Sequence, residues 1–240
     1  MDLRLTAQLP HHNYGFDEGA QDFFRVLRMI EKLPGFDLGW RRTTFRLWGD
    51  EAGYLNNNQE RIERLYPEGD HLDLYVNDNA KDIYGEAERI YYVFGYNWGS
   101  LDTRLIGEFR RPHPRYGIQA QQFINLIDIV TKWKRPQHLR FGSTFYLVNH
   151  HPLSRQQVGI GWMGWIPFDV PATDVPEAEI VRPMNNGTLI VTQSQFWLPV
   201  PGHPNYSKAA IERAQEVEIR LNLLGVLPAA LDLNRGDWGQ

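Results

Sequence analysis

The sequence contains no cysteine. This absence excludes disulfide bonds, catalysis by a thiolate and metal sites with cysteine ligands. It is consistent with a reducing compartment, so we expect a cytoplasmic protein. The first residues also lack the basic start and apolar core of a secretory signal peptide, and we therefore expect no such leader.

Long hydrophobic runs are missing as well. No stretch approaches the roughly 20 apolar residues that are needed to cross a bilayer, so no membrane contact is expected. The net charge of the 240 residues is only −4, which is unlike the strongly basic balance of nucleic-acid-binding proteins. We expect neither a membrane nor nucleic acid as a direct partner, and the length is sufficient for one large domain with a substantial core.

The sequence also lacks the common motifs for catalysis and metal binding. It has no G-x-S-x-G nucleophile elbow, no P-loop and no H-E-x-x-H pair. Its two histidine doublets, His11–His12 and His150–His151, make poor metal sites, because neighbouring side chains of a strand point to opposite faces. We expect no metal site and no enzymatic activity.

Three glycines, Gly159, Gly161 and Gly164, have the spacing of a dinucleotide-binding fingerprint. However, Trp162 and Trp165 lie beside them, whereas a pyrophosphate needs small neighbours and a helix N-terminus. A twisted strand with glycine bulges is the favoured interpretation, and no cofactor is predicted.

Hydrophobic periodicity predicts the secondary structure of the chain. In the first hundred residues we predict a strand over 3–9, a helix over 19–33, a strand over 40–48, an irregular connection over 50–69, a strand over 71–76 and a helix over 79–94. In the remainder we predict a strand over 103–109, a helix over 118–133, a strand over 139–148, a bulged segment over 158–168, strands over 179–181 and 188–193 joined by an Asn185–Gly187 turn, and a helix over 207–225.

The same short motifs recur one hundred residues apart, which indicates an internal duplication. The matching pairs are Arg4-Leu5 with Arg104-Leu105, Ala20–Phe23 with Ala120–Phe123, and Thr44–Leu47 with Thr144–Leu147. We therefore predict one domain over 1–240 that consists of two similar halves, 1–100 and 101–240.

Most of the predicted strands have one polar face, which disfavours a doubly wound parallel sheet. We predict an α+β fold with a largely antiparallel sheet flanked by helices. Each half is expected to contribute a strand–helix–strand–strand–helix unit.

Charge is distributed unevenly along the chain. Residues 50–88 contain eleven acidic and three basic residues, a net charge of −8, whereas the remainder has a net charge of +4. A second acidic run, Asp169 to Glu179, contains no basic residue and follows two tryptophans. A solvated face explains such runs, but a docking surface for a basic partner explains them too, because acidic groups steer the encounter and aromatic residues anchor it.

The C-terminal part of the sequence resembles a known family. The segment from Asn186 to Gln193, then Phe196, then the helix from Ser207 to Gly225 and Leu227-Pro228 resemble the C-terminal signature of the immunity protein 52 family. The resemblance covers about forty residues, and we expect its apolar residues, Leu189, Val191, Leu221 and Leu224, to belong to the core.

This resemblance implies a cytoplasmic immunity protein of a bacterial polymorphic toxin system, such as type VI secretion, that functions in competition between bacteria. It implies tight stoichiometric binding to a cognate toxin, typically a nuclease of restriction-endonuclease-like fold, by a monomer or homodimer. The alternative is a carbohydrate-active or other hydrolase with paired carboxylates in an aromatic-lined cleft.

The toxin-contacting residues are predicted from charge and aromatic character rather than from the resemblance. We expect the interface to contain two tryptophans and seven acidic residues: Trp162, Trp165, Asp169, Asp174, Glu177, Asp70, Asp73, Asp78 and Asp82.

Overall fold

An eight-stranded antiparallel sheet forms the centre of the structure, a computed structural model that describes residues 2–11, 14–34, 36, 45, 49–65, 72–78, 91–99, 103–110 and 118–239. The side chains of residues 2, 77, 78, 91, 92 and 110 are outside this description. The strands are β1 (Asp2–Leu9), β2 (Leu72–Asp78), β3 (Tyr91–Trp98), β4 (Thr103–Arg110), β5 (His138–Ser143), β6 (Met163–Ile166), β7 (Ile180–Pro183) and β8 (Thr188–Val191). Their order across the sheet is β2-β3-β4-β1-β5-β6-β8-β7.

Within the described residues, six α-helices accompany this sheet, so the predicted α+β fold with an antiparallel sheet is confirmed. They are α1 (Phe16–Ile30), α2 (Glu51–Leu65), α3 (Ala120–Trp133), α4 (Thr144–Asn149), α5 (Lys208–Leu223) and α6 (Ala230–Arg235). A 3₁₀ turn covers Ala172–Asp174. In the part of the chain that the structure describes, no helix is long and apolar enough to cross a membrane.

The alternation of β1 determines how the two faces of the sheet differ. Leu3, Leu5, Ala7 and Leu9 are buried on one face, where the neighbouring strands and helices α1, α2 and α3 contribute to the main hydrophobic core. Polar side chains, including Thr6, project from the opposite face because successive residues of a strand alternate between faces. Helix α5 packs on this second face, where it contributes to a smaller apolar cluster over β6 and β8.

The ladder between β1 and β4 is symmetric about one residue pair. Thr6 lies opposite Ile106, and moving outward from this pair, Arg4 lies opposite Glu108 and Gln8 opposite Arg104. If both residues of a pair are replaced by the residues one hundred positions away in the sequence, the result is again a pair of this ladder; Arg4 and Glu108, for example, become Arg104 and Gln8. Two copies of one strand that meet about a twofold axis would have such a register, although the division into halves at residue 100 stays a prediction.

The predicted elements whose apolar residues follow a single clear periodicity are confirmed. Helices α1, α3 and α5 and strands β1, β2 and β4 lie within a few residues of their predicted ranges. Asn185 and Asn186, with φ of 48° and 59°, connect β7 and β8 in a two-residue turn that requires positive φ at both positions. Helix α5 begins as predicted, with the Ser207 side chain accepting a hydrogen bond from the Ala210 amide at 3.2 Å.

Three predictions of secondary structure were wrong. The predicted irregular connection over 50–69 contains helix α2, which has only two fully buried residues, Tyr54 and Ile62, and therefore a weak apolar period. Residues 91–98 form strand β3 rather than the end of a helix, and positions 79–90 are outside the described residues. The predicted strand 139–148 ends at Ser143, after which α4 begins.

The predicted strand over 40–48 lies outside the described residues except for Phe45, which is helical.

Candidate functional site

The two tryptophans that we expected at an interface are core residues. Trp162 and Trp165 are 2% and 0% exposed, and they belong to the main hydrophobic core. Their indole N–H groups donate to the carbonyl oxygens of Gln193 and Met184, both at 2.7 Å. Side chains that are buried and satisfied in this way cannot contact a partner, so the prediction that these two residues anchor an interface was wrong.

The predicted acidic residues are divided between opposite edges of the sheet. Asp73 and Asp78 belong to edge strand β2, whereas the run from Asp169 to Glu179 precedes β7 at the other edge. With strands roughly 4.8 Å apart, the two edges of an eight-stranded sheet are separated by roughly 30 Å. One compact interface cannot be centred on both groups.

In the β2 group, only the side chain of Asp73 is described, and its charge is paired. Asp73 is buried, and its carboxylate lies 2.7 Å from the guanidinium of Arg61 on α2. The side chain of Asp78 is outside the described residues, as are Asp70 and Asp82.

The other group is an ordered, exposed segment that we call the acidic edge, defined as Asp169, Asp174, Glu177 and Glu179. Asp169 and Asp174 are exposed, and neither forms an ion pair with a described residue. Val175, which follows Asp174, is fully buried in the smaller apolar cluster and anchors the segment.

Helix α5 holds the C-terminal part of the acidic edge. The Arg220 guanidinium donates to Glu177 at 2.8 Å, and this hydrogen bond lowers the pKa of Glu177. Glu179 accepts a hydrogen bond from the Ser194 amide at 2.8 Å, lies 4.0 Å from Arg213, and also has a lowered pKa, chiefly because of Ser194. Glu177 and Glu179 therefore fix the segment to the body of the protein, while the carboxylates of Asp169 and Asp174 are exposed and have no ion-pair partner among the described residues.

A buried polar network lies beneath α5. Glu218 is fully buried and accepts hydrogen bonds from the Tyr146 hydroxyl at 3.0 Å, from the Gly161 amide at 2.9 Å and from Nδ1 of His151 at 2.8 Å. The other ring nitrogen of His151 lies 3.1 Å from the carbonyl oxygen of Gln157. Both oxygens of Glu218 and both ring nitrogens of His151 have partners within the chain, which is the pattern of a structural network.

The three spaced glycines serve this network and the strand next to it. A Cβ atom on Gly159 would lie 2.2 Å from the Glu218 carboxylate, and one on Gly164 would lie 2.7 Å from the Leu139 carbonyl oxygen. Gly161 has a φ of +75°, which favours glycine. The predicted twisted strand is confirmed only for Met163–Ile166, which is β6 and contains Gly164, whereas Gly159 and Gly161 precede this strand.

The histidine doublets and the hydrolase alternative gain no support from the described residues. No group of three His, Asp or Glu in the described ranges is arranged to hold a metal ion. Among the described residues, the buried carboxylates are Asp22, Asp73 and Glu218. They lie on different elements, where they pair with Lys134, Arg61 and His151, respectively. They do not form the pair that glycoside hydrolysis requires.

A cavity of about 500 Å³, which we call the polar-face cavity, lies on the second face of the sheet. Its floor comes from three neighbouring strands, with Thr6 and Gln8 from β1, Arg104 from β4, and His138 and Arg140 from β5. Its walls are Val158 and three residues of α6: Ala230, Leu233 and Asn234.

Two buried groups in this floor lack hydrogen-bond partners. Thr6 is 9% exposed and His138 is 2% exposed, and neither Thr6 Oγ1 nor His138 Nε2 has a partner in the described structure. Burial, together with the charge of Arg140, lowers the pKa of His138 to about 3, so the ring is neutral at pH 7. An unsatisfied buried polar group typically costs about 1–3 kcal/mol, so both groups are candidates for contact with a ligand.

None of the residues of the polar-face cavity was predicted as a site. The available signal was the set of polar residues that alternate with apolar residues in β1, β4 and β5. We used this alternation only to identify strands. Their convergence depends on the strand order β4-β1-β5 and on the register, which no local pattern determines.

Comparisons with known proteins add little to this geometry. No protein-family model and no curated protein matches the sequence. Among solved structures, the chain is similar to one described as Pseudomonas aeruginosa T6SS protein PA0821, with 13% sequence identity and a TM-score of 0.40. The alignment covers 97% of this chain and 88% of that one. A similarity at this level of identity and TM-score assigns neither a fold nor a function to the chain.

Proposed function

We propose that this chain is an immunity protein that binds a cognate bacterial toxin and neutralises it by stoichiometric binding in the cytoplasm. The toxin in this proposal is a basic nuclease that a competing cell delivers, for example by type VI secretion. The protein acts by covering a surface of the toxin, and it catalyses no reaction.

The observation that carries the proposal is the acidic edge. Asp169 and Asp174 are exposed and free of ion pairs with described residues, on a segment that Val175 and two contacts to α5 hold in place. A fixed segment loses little conformational entropy on binding, and carboxylates without a cation of their own attract a basic partner. A nuclease must present positive charge to phosphates, so this surface complements it.

The part of the chain that resembles the immunity protein 52 family is consistent with this proposal. Its strand β8 is fully buried, and its helix α5 packs beside it through Val217 and Leu221. Leu224 departs from our expectation, since it is 40% exposed at the end of the helix rather than part of the core. The family signature thus belongs mainly to the scaffold that supports the acidic edge.

The buried tryptophans have no place in this interface, and the acidic residues of β2 lie at the opposite edge. We therefore assign the toxin contact to Asp169 and Asp174, with Glu177 and Glu179 as the residues that position them. This assignment reduces the predicted contact surface to one edge of the sheet.

Co-expression with the product of the neighbouring toxin gene tests the proposal. We expect growth to be restored and the two proteins to co-purify in a fixed ratio. An unrelated nuclease toxin serves as the control and should be neither bound nor neutralised. Growth arrest in cells that contain abundant soluble protein, without co-purification, would show the proposal to be wrong.

A further inference from the structure

The polar-face cavity concentrates cationic side chains in an acidic protein. Arg104 and Arg140 line it directly, and Arg4 projects from the same face of β1. Glu108 lies opposite Arg4 in the β1–β4 ladder, and the charge of Glu218 acts on Arg140 from beneath α5. Burial lowers the pKa of Arg140, and the nearby charges of Arg4 and Arg104 lower it further, so an anion in the cavity would stabilise the charged guanidinium.

The unpartnered groups in the cavity are arranged to serve a ligand. Thr6 and Arg140 are direct cross-strand neighbours, and His138 lies opposite Gln8, the next residue of β1 on the same face. Thr6 Oγ1 and His138 Nε2, both at least nine-tenths buried, lack partners in the described structure. A hydroxyl and a neutral imidazole can each donate one hydrogen bond, and two guanidinium groups add several charge-assisted donors.

The geometry points to a binding site for a small organic phosphate monoester in the polar-face cavity. A phosphate dianion has three terminal oxygens and can accept from Thr6, His138 and both arginines together, whereas a carboxylate has only two oxygens. The volume of about 500 Å³ is within the usual range for small-molecule sites. Val158, Ala230 and Leu233 supply an apolar wall for the organic part of the ligand.

This inference does not depend on the proposed toxin contact. The acidic edge is next to β7, whereas the floor of the cavity is formed by β4, β1 and β5. A variant of one site is therefore expected to leave the other unchanged.

Calorimetric titration with three matched probes tests the inference: phenyl phosphate, benzoate and phenol, at constant ionic strength. We expect saturable binding of phenyl phosphate with a Kd below about 1 mM, and binding of benzoate at least roughly tenfold weaker. Phenol, which lacks the charge, should not bind measurably.

Two variants locate the site. Thr6→Val keeps the side-chain shape but removes the hydroxyl, and Arg140→Gln removes one charge. Each should weaken phenyl phosphate binding by roughly tenfold to a hundredfold. Arg64→Gln removes the same charge from the exposed surface of α2, which packs on the opposite face of the sheet, and should leave the affinity unchanged.

The result that overturns the inference is equally specific. It is wrong if phenyl phosphate fails to saturate wild-type protein at roughly ten times the expected Kd, or if folded Thr6→Val and Arg140→Gln bind it as tightly as Arg64→Gln does. Because Thr6→Val removes a buried hydroxyl without a partner, this variant is expected to fold, so the test remains decisive if Arg140→Gln is unstable.

Discussion

Nδ1 of His151 lies 2.8 Å from the carboxylate of Glu218, which is fully buried on α5. Burial by itself lowers the pKa of His151, but the hydrogen bond and the charge of Glu218 outweigh burial and raise it above its usual value. This relationship makes the stability of the folded protein dependent on pH, because His151 is held more tightly when it is protonated.

The first prediction concerns this pH dependence. A histidine whose pKa is raised by folding contributes stability that is fully present below its unfolded pKa of about 6.5 and is lost as the pH rises through the folded value. Urea unfolding of the wild-type protein between about pH 6 and pH 9 should therefore show a falling free energy of unfolding. His151→Gln should remove this component, whereas His203→Gln, in a loop away from Glu218, should retain it. Equal slopes for wild-type and His151→Gln would contradict the prediction.

The second prediction concerns Glu218 itself. Glu218→Gln keeps the shape but replaces one carboxylate oxygen with an amide donor, so the bonds from Tyr146, His151 and Gly161 cannot all be retained. We expect the free energy of unfolding to fall by about 2–3 kcal/mol at pH 7, the range for buried hydrogen bonds to a charged group. Glu216→Gln, at an exposed position of the same helix, should change it by less than about 0.5 kcal/mol. Denaturant unfolding of both variants measures the difference.

The third prediction concerns the start of α5. Ser207 accepts a hydrogen bond from the Ala210 amide, one of the amides that the first helical turn leaves without a partner. Ser207→Ala should lower the free energy of unfolding by about 1 kcal/mol, whereas Ser207→Asp should preserve it. Lys208→Ala, whose side chain is largely exposed, is the matched control. If Ser207→Ala unfolds at the same midpoint denaturant concentration as the wild-type protein, the cap contributes nothing to stability.

Elements whose apolar residues repeat at a single helical or strand spacing were predictable, because burial of one face imposes that spacing on the sequence. In α3, for example, Phe123, Leu126, Ile127 and Val130 recur at helical spacing and are all buried. Strand β3 was missed because Tyr91 and Phe94 also fit a helical stripe. Its own alternation places Phe94, Tyr96 and Trp98 in the main core, and that alternation became clear only with the strand pairing.

The candidate sites were harder to predict, for two physical reasons. Tryptophan has both a large apolar surface and a polar N–H group, so composition alone could not distinguish the core positions of Trp162 and Trp165 from interface positions. The polar-face cavity depends on long-range register, since Thr6 and Arg140 are neighbours only because β5 pairs with β1. The acidic edge was predictable as charge, but its attachment through Arg220 was not.

The fourth prediction separates stability from recognition. Trp165→Ala should lower the free energy of unfolding by about 3–5 kcal/mol, because it empties a core position and leaves the Met184 carbonyl without its donor. Under conditions where the variant remains folded, its affinity for the toxin should equal that of the wild-type protein. Circular dichroism and surface plasmon resonance on one preparation measure both properties. A loss of affinity in fully folded protein would show that Trp165 contributes to toxin binding.

The fifth prediction concerns Asp169 and Asp174, the two residues of the acidic edge that have no ion-pair partner among the described residues. Reversing Asp169 and Asp174 to Lys replaces attraction with repulsion toward a basic toxin, so the association rate at low salt should fall by roughly tenfold and depend less on salt. Glu60→Lys with Glu63→Lys makes the same change in total charge on α2, near the opposite edge of the sheet, and should affect association far less. Stopped-flow association at several salt concentrations measures the rates. If both double variants slow association equally, the effect comes from net charge alone and the acidic edge is not the contact surface.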